Sequence, residues 1–229
     1  MNAPVKTLLF DFGGTLDADG VAWKERFHAF YRAEGLSLDG EAFAPAFYAA
    51  DDPLVGGLPS TTGLSDTVHA LTANLENELA CRVGGNGSGD RSRRVASAFL
   101  SEAAATFERN RPVLKALSER YRLGIVSNFY GNLEAVCDSA GLCSFFKVLV
   151  DSHCVGAEKP DPAIFRAALD GLRSTPEETI FIGDSLRRDR EGARRMGMRF
   201  IWIAPPHVQS EQNGQPTVTD LRDIAKFLQ

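Results

Sequence analysis

Asp11, Ser127, Asn128, Lys159, Asp184 and Asp189 are residue types that could do chemistry together, and their setting along the chain places them together. Asp11 closes the apolar run Val5–Phe10, and Ser127-Asn128 follow Leu123–Val126. Gly183-Asp184-Ser185 follow Thr179–Ile182, with Asp189 five residues beyond Asp184. Lys159 lies in Gly-Ala-Glu-Lys-Pro-Asp-Pro, where flanking prolines pin it. Short apolar runs bounded by turn residues suit strands buried on both faces of a parallel sheet. In such a sheet the reactive crevice lies just past the strand C-termini. Three carboxylates, a lysine and hydroxyl or amide donors on one sheet edge suit phosphoryl chemistry. The carboxylates would hold a hard cation such as Mg²⁺, which prefers oxygen ligands. The lysine and small donors would neutralise phosphoryl oxygens as charge builds, and one carboxylate would act as nucleophile. Taken singly, each residue has a plainer reading. Aspartates and serines cap helices, and Asp189 could be a first-turn acid favoured by the helix dipole. Accident does not account for the set arriving at successive strand ends of one sheet.

The elements that must position these residues are legible in the apolar pattern. Val148–Val150 and Arg199–Ile203 complete five strand runs. Helical patterns lie between them, at Leu114, Leu117 and Tyr121, at Leu133, Val136 and Cys137, and at Ile164, Phe165, Ala168 and Leu169. This alternation predicts right-handed βαβ crossovers in an α/β fold with a Rossmann-like, doubly wound parallel sheet. Residues 18–110 differ: they lack strand runs and carry helical stripes at Trp23, Phe27, Phe30 and Tyr31, at Phe43 and Phe47, and at Leu64, Val68, Leu71, Leu75 and Leu79. The reading is a core of residues 1–17 and 111–229 with a helical cap, 18–110, inserted over the strand C-termini. Gly84–Gly89 reads as a break before a helix Arg91–Arg109. Pro205–Gln215 reads as a loop before a final helix, Thr219–Leu228.

Composition excludes several classes. The chain has 229 residues, 44% hydrophobic and 24% charged, the balance of a globular protein able to bury about 70% of its unfolded surface. Its net charge of -5, from 25 basic and 30 acidic residues, argues against nucleic acid or an anionic membrane as partner. The arginine clusters at 91–94 and 187–195 read as solvated helix faces. No apolar run reaches the roughly 18 residues of a membrane span, and the N-terminus lacks a signal-peptide pattern. Cys81, Cys137, Cys143 and Cys154 form no CxxC pair and read as reduced, mostly buried thiols of a cytoplasmic protein. His28, His69, His153 and His207 share no ligand spacing.

With these residues assembled, the chain resembles the haloacid dehalogenase superfamily of hydrolases, in the branch with a helical cap between the first and second motifs. FDFGGTLD is similar to the nucleophile loop, IVSN to the second motif, VGAEKPDPAIF to the third and FIGDSLRRDREGARRMGM to the fourth. The resemblance implies Asp11 as nucleophile and Mg²⁺ ligand, Gly13 as a ligand through its carbonyl, Asp184 as metal ligand and Asp189 as its supporting carboxylate. It implies Ser127 and Lys159 on the transferred phosphoryl group and nucleophile, and Gly14, Thr15 and Asn128 around the substrate. The implied activity is Mg²⁺-dependent hydrolysis of a small phosphorylated metabolite through an aspartyl-phosphate. One departure stands out. Phosphatases of the family carry Asp-x-Asp in the first motif, the second aspartate serving as general acid and base, and here that position is Gly13. Such proton transfer is worth about 10²–10⁴-fold. Dehalogenase-type and phosphonate-cleaving chemistry, or a catalytically impaired binding protein, are the alternatives this glycine opens. Asp17 and Asp19 read as helix-start residues, with Asp17 the candidate to replace the lost carboxylate.

Overall fold

The computed structural model describes residues 4–83, 89–205, 208 and 214–228. Six parallel strands form one sheet in the order β3-β2-β1-β4-β5-β6. In chain order β1 (Thr7–Phe10) leads to α1 (Trp23–Ala33), α2 (Gly40–Asp51), α3 (Leu64–Val83) and α4 (Gly89–Ser118). Then come β2 (Arg122–Ser127), α5 (Leu133–Ser139), β3 (Val148–Asp151), α6 (Ser152–Val155) and α7 (Pro162–Leu172). The chain continues through β4 (Thr179–Gly183), α8 (Glu191–Met196), β5 (Arg199–Ile203) and β6 (Thr217–Val218).

The strand runs are apolar without alternation because both sheet faces are covered. Leu8, Phe10, Ile125, Ile180 and Ile182 enter the core that continues into the α1–α4 helices. Leu9, Val126, Phe181 and Phe200 point the other way, against Ile164, Phe165 and Ala193 of α7 and α8. The chain winds outward from β1 to β3 and returns to β4 on the other side of β1. This reversal makes the crevice between the ends of β1 and β4 the expected ligand position.

Three secondary-structure elements differ from the sequence reading. The helix expected to end at Arg109 runs on to Ser118, through Pro112. Proline forfeits one intrahelical hydrogen bond, but Phe99, Ala103, Phe107, Asn110, Leu114 and Leu117 keep one continuous face buried, and that packing holds the helix together. The boundary at 110/111 therefore falls inside a single helix. The second difference is β6: it has only two residues, too few to register as an apolar run. Third, the C-terminal helix is a 3₁₀ segment, Leu221–Phe227, started by Asp220, which accepts from Arg222 N. The glycine-rich break lies outside the described residues apart from Gly89, which begins α4, and most of Pro205–Gln215 lies outside them as well. Cys137 is buried, whereas Cys81 and Cys154 are exposed and Cys143 is half-buried, so the thiols are not mostly buried. Among the described residues no helix is long and apolar enough to cross a membrane.

The helices of residues 23–118 are joined to the sheet by an aromatic cluster and a buried ion pair. Phe27 stacks on Phe99 at 4.4 Å, and Trp23 meets Phe99 edge-on at 5.0 Å and Phe129, just after β2, at 5.9 Å. Asp17 is fully buried. Its carboxylate accepts from Gly14 N at 2.7 Å, Trp23 Nε1 at 2.7 Å and Arg26 Nη1 at 2.6 Å. Arg26 also binds Glu102 at 2.7 Å and lies over the Phe99 ring at 3.9 Å. Asp17 thus ties the loop after β1 to α1 and, through Arg26, to α4. Breaking a buried pair by removing one partner leaves an uncompensated charge. Arg26→Met is therefore expected to cost about 3–5 kcal/mol, read as a fall in the urea midpoint. Asp17→Asn/Arg26→Met should recover part of that loss.

Candidate active site

The polar ends of β1, β2 and β4 converge as the sequence predicts. Asp11 directly follows β1, and its backbone N–H donates to Ile182 O at 2.9 Å, locking the β1 and β4 ends together. Asp11 Oδ1 accepts from Phe12 N at 2.7 Å and Ser127 Oγ at 2.9 Å, and lies 2.7 Å from Lys159 Nζ. The same ammonium lies 2.7 Å from Asp189 Oδ1. Lys159 and Asp189 are almost wholly buried, so the lysine is clamped between two carboxylates. Burial works to lower the Lys159 pKa, but Asp11 and Asp189 outweigh it and the ammonium is held more firmly than usual.

Asp184, after β4, accepts from Thr15 Oγ1 at 3.1 Å. Asp189 Oδ2 accepts from Ser185 N at 3.0 Å, and Ser185 Oγ caps the turn by accepting from Arg188 N at 3.1 Å. Two glycines let backbone approach these acids. A Cβ on Gly14, at φ +87°, would lie 2.6 Å from Asp184 Oδ2, and one on Gly183 would lie 2.2 Å from Asp189 Oδ2. Carboxylate oxygens of Asp11, Asp184 and Asp189 lie within 4.8 Å of one another. Burial, followed by Asp11 and Asp189, pushes the Asp184 carboxyl well above the usual range. Crowded, buried, all-oxygen donors of this kind fit a hard divalent cation such as Mg²⁺.

The other sequence candidates take supporting positions. Thr15 is fully buried behind Asp184 and does not reach the cavity wall. Gly14 faces Asp17 and Asp184. Asn128 borders the cavity, yet its amide brackets the Lys159 backbone, accepting from Lys159 N at 2.8 Å and donating to Lys159 O at 3.4 Å. Asp17 and Asp19 do not start α1, whose N-cap is Ala22. Asp19 pairs instead with Arg109 at 2.7 Å. Because all its bonds go to Gly14, Trp23 and Arg26, Asp17 is not placed to replace a missing acid. His28 and His69 bond backbone carbonyls of Leu38 and Ser65, the His153 ring lies against Gly56 and Gly131, and His207 lies outside the described residues.

The space beside Gly13 is filled from α1. A Cβ there would lie 3.0 Å from Trp23 Nε1 and 3.2 Å from Trp23 Cδ1. Trp23 in turn is fixed by Asp17 and Phe99. Gly13→Asp is accordingly expected to lower stability by about 1–3 kcal/mol through overpacking, without raising turnover. Thermal melts and steady-state rates of the variant check both halves.

A cavity of about 690 Å³ opens from Asp11, Gly13, Ser127, Lys159 and Asp184 toward α1 and α2. Its further walls hold residues the sequence reading missed as site residues: Trp23, Asp51, Tyr130, Arg187 and Arg188. Trp23 had only its helical spacing, which marks packing. The two arginines follow the fourth motif but read as solvated charge. Asp51 and Tyr130 are remote in sequence and carried no signal.

Comparison with known proteins agrees with this geometry. Residues 5–197 match the haloacid dehalogenase-like hydrolase family, and the chain belongs to it. It is 32% identical over 151 residues to a phosphoserine phosphatase from Thermus thermophilus, covering 60% of this chain and 58% of that one. Across the first curated relatives the matches span about a third to three fifths of the relatives' length. The fold is similar to the magnesium-bound hydrolase YfnB from Bacillus subtilis, with TM-score 0.60, 20% identity and 99% of each chain covered. It is also similar to a 2-haloacid dehalogenase from Pseudomonas syringae, with TM-score 0.54, 22% identity and 98% of each chain covered.

Proposed function

We propose that the chain is a Mg²⁺-dependent phosphohydrolase acting on a small phosphate monoester. The observation that carries this reading is the carboxylate triad of buried Asp11 and Asp189 and half-buried Asp184, with Lys159 bridging two of its members. Asp11, Asp184 and the Gly13 carbonyl would hold the cation, with Asp189 behind them. When bound, it would supply positive charge to the phosphoryl oxygens. An Asp11 carboxylate oxygen attacks phosphorus, and the P–O bond to the alcohol breaks with its electron pair leaving on that oxygen, which is protonated from solvent. Water then attacks the aspartyl-phosphate, releasing inorganic phosphate and restoring the carboxylate. Ser127 Oγ, already donating to Asp11 at 2.9 Å, orients the nucleophile and is in reach of the phosphoryl group. Lys159 offsets the charge that builds on both.

Two alternatives are less well supported. Phosphonate cleavage needs a neutral cap lysine for an imine, but the cavity's Lys24 is hydrogen-bonded to Glu25, which raises its pKa and keeps it charged. Dehalogenation needs no cation, and would leave the crowding of Asp184 against Asp11 and Asp189 without a purpose. A phosphatase is expected to release phosphate from a panel of monoesters with Mg²⁺ and to stop when EDTA is added. Halide release from 2-haloacids that persists in EDTA, with no phosphate release, would replace this reading with dehalogenation.

A further inference from the structure

The cavity is larger than a phosphoryl group requires, and its outer walls carry opposite charges that do not touch. Asp51, the last residue of α2, borders it on one side. Tyr130 OH donates to Asp51 Oδ1 and so fixes the carboxylate. Its second oxygen has no hydrogen-bond partner among the described residues. Arg188, on the turn after Asp184, borders the cavity as well, and its guanidinium has no ion pair or hydrogen bond among the described residues. The two charges feel each other, since Arg188 acts to lower the Asp51 pKa, yet they form no ion pair within 4 Å. Burial dominates, helped by the neighbouring charge of Asp52 and against the Tyr130 bond, and pushes Asp51 up to about 6. The carboxylate is therefore under-compensated where it stands. A cation beside Asp51 and an anion beside Arg188 would satisfy both groups at once.

We propose that Asp51 and Arg188 select the alcohol portion of the substrate, Asp51 binding an ammonium and Arg188 a carboxylate, so that the preferred substrate is a phosphate monoester of a zwitterionic alcohol. This rests on the phosphatase reading and adds the substrate class to it. Asp51 and Arg188 are specificity residues. Tyr130 is a positioning residue, acting through Asp51.

Four matched probes separate the contributions. Ethyl phosphate carries neither charge, phosphoethanolamine the ammonium, phosphoglycolate the carboxylate, and O-phosphoserine both. In the wild type each added charge is expected to raise kcat/KM about ten- to hundredfold, the range for hydrogen bonds to charged groups. Asp51→Asn should collapse the phosphoethanolamine-to-ethyl phosphate ratio toward one and leave the phosphoglycolate-to-ethyl phosphate ratio in place. Arg188→Gln, at an exposed side chain whose replacement leaves the core untouched, should do the reverse. A wild type that does not favour O-phosphoserine overturns the proposal. So do variants that lower kcat/KM equally on all four probes, the result expected if the two residues simply latch to each other. Wild-type silence on every probe with Mg²⁺ overturns the phosphatase reading and this proposal with it, whereas turnover without charge preference overturns this proposal alone.

Discussion

Asp11→Asn is expected to abolish phosphate release, lowering kcat by about four orders of magnitude or more, as removal of a nucleophile does. The carboxamide keeps the size of the side chain and can still accept from Ser127 Oγ and Phe12 N, which now bond Asp11 Oδ1. It cannot displace an alcohol to form an aspartyl-phosphate. Its loss should also relieve the crowding at Asp184, whose pKa Asp11 helps to raise. The variant should therefore fold with stability near that of the wild type while being inactive. Phosphate assays at saturating Mg²⁺, beside urea denaturation of both proteins, separate these effects. Retained turnover in a folded Asp11→Asn protein would move the nucleophile elsewhere in the cavity.

Lys159→Met has the second large effect, and this one falls on activity and stability together. The ammonium is the buried bridge between Asp11 and Asp189, 2.7 Å from each. Taking it away leaves two carboxylates in low dielectric with no cation between them, a loss on the order of 3–5 kcal/mol. Turnover should fall about 10²–10³-fold with the lost charge stabilisation. The pH dependence has a definite sign. Burial already raises Asp189 to about 6 despite the lysine; without the lysine it rises further above its unfolded value, so the folded state binds more protons. The stability deficit should then be small near pH 5, where Asp189 is mostly protonated in the folded state of both proteins, and grow as pH rises past its wild-type value of about 6. Mg²⁺ should shrink it, because a cation bound among Asp11, Asp184 and Asp189 replaces part of the missing charge. Denaturant midpoints at pH 5 and pH 8, with and without Mg²⁺, test each statement. A deficit independent of both pH and Mg²⁺ would show that Lys159 contributes only packing.

The sheet and its reactive edge were legible because each depends on short stretches of chain. Phe10-Asp11, Val126-Ser127 and Ile182-Gly183-Asp184 each join a buried strand to a polar turn, and period and burial alone identify such junctions. The stripe Trp23, Phe27 and Tyr31 likewise showed a helix with one buried face. Length and termination were harder to read. The helix read as Arg91–Arg109 continues to Ser118, because the packing of Phe107 and Leu114 carries it through Pro112. Asp17 looked like a helix start because short acids are common there, but Arg26, nine residues later, claimed it.

The sequence by itself determined five of the strands along the chain, the nucleophile candidate, the clustering of acids at one sheet edge and the loss of the second motif-I carboxylate at Gly13. These follow from residue type and near neighbours along the chain. Tertiary structure alone decided what stands in place of that carboxylate, a tryptophan indole brought 3.0 Å from a Gly13 Cβ position by α1. It alone also decided that Asp51 and Arg188 face one cavity across 137 residues of sequence. Such pairings depend on how helices pack over the strand ends, and no periodicity along the chain encodes the distance between two elements that meet only when folded.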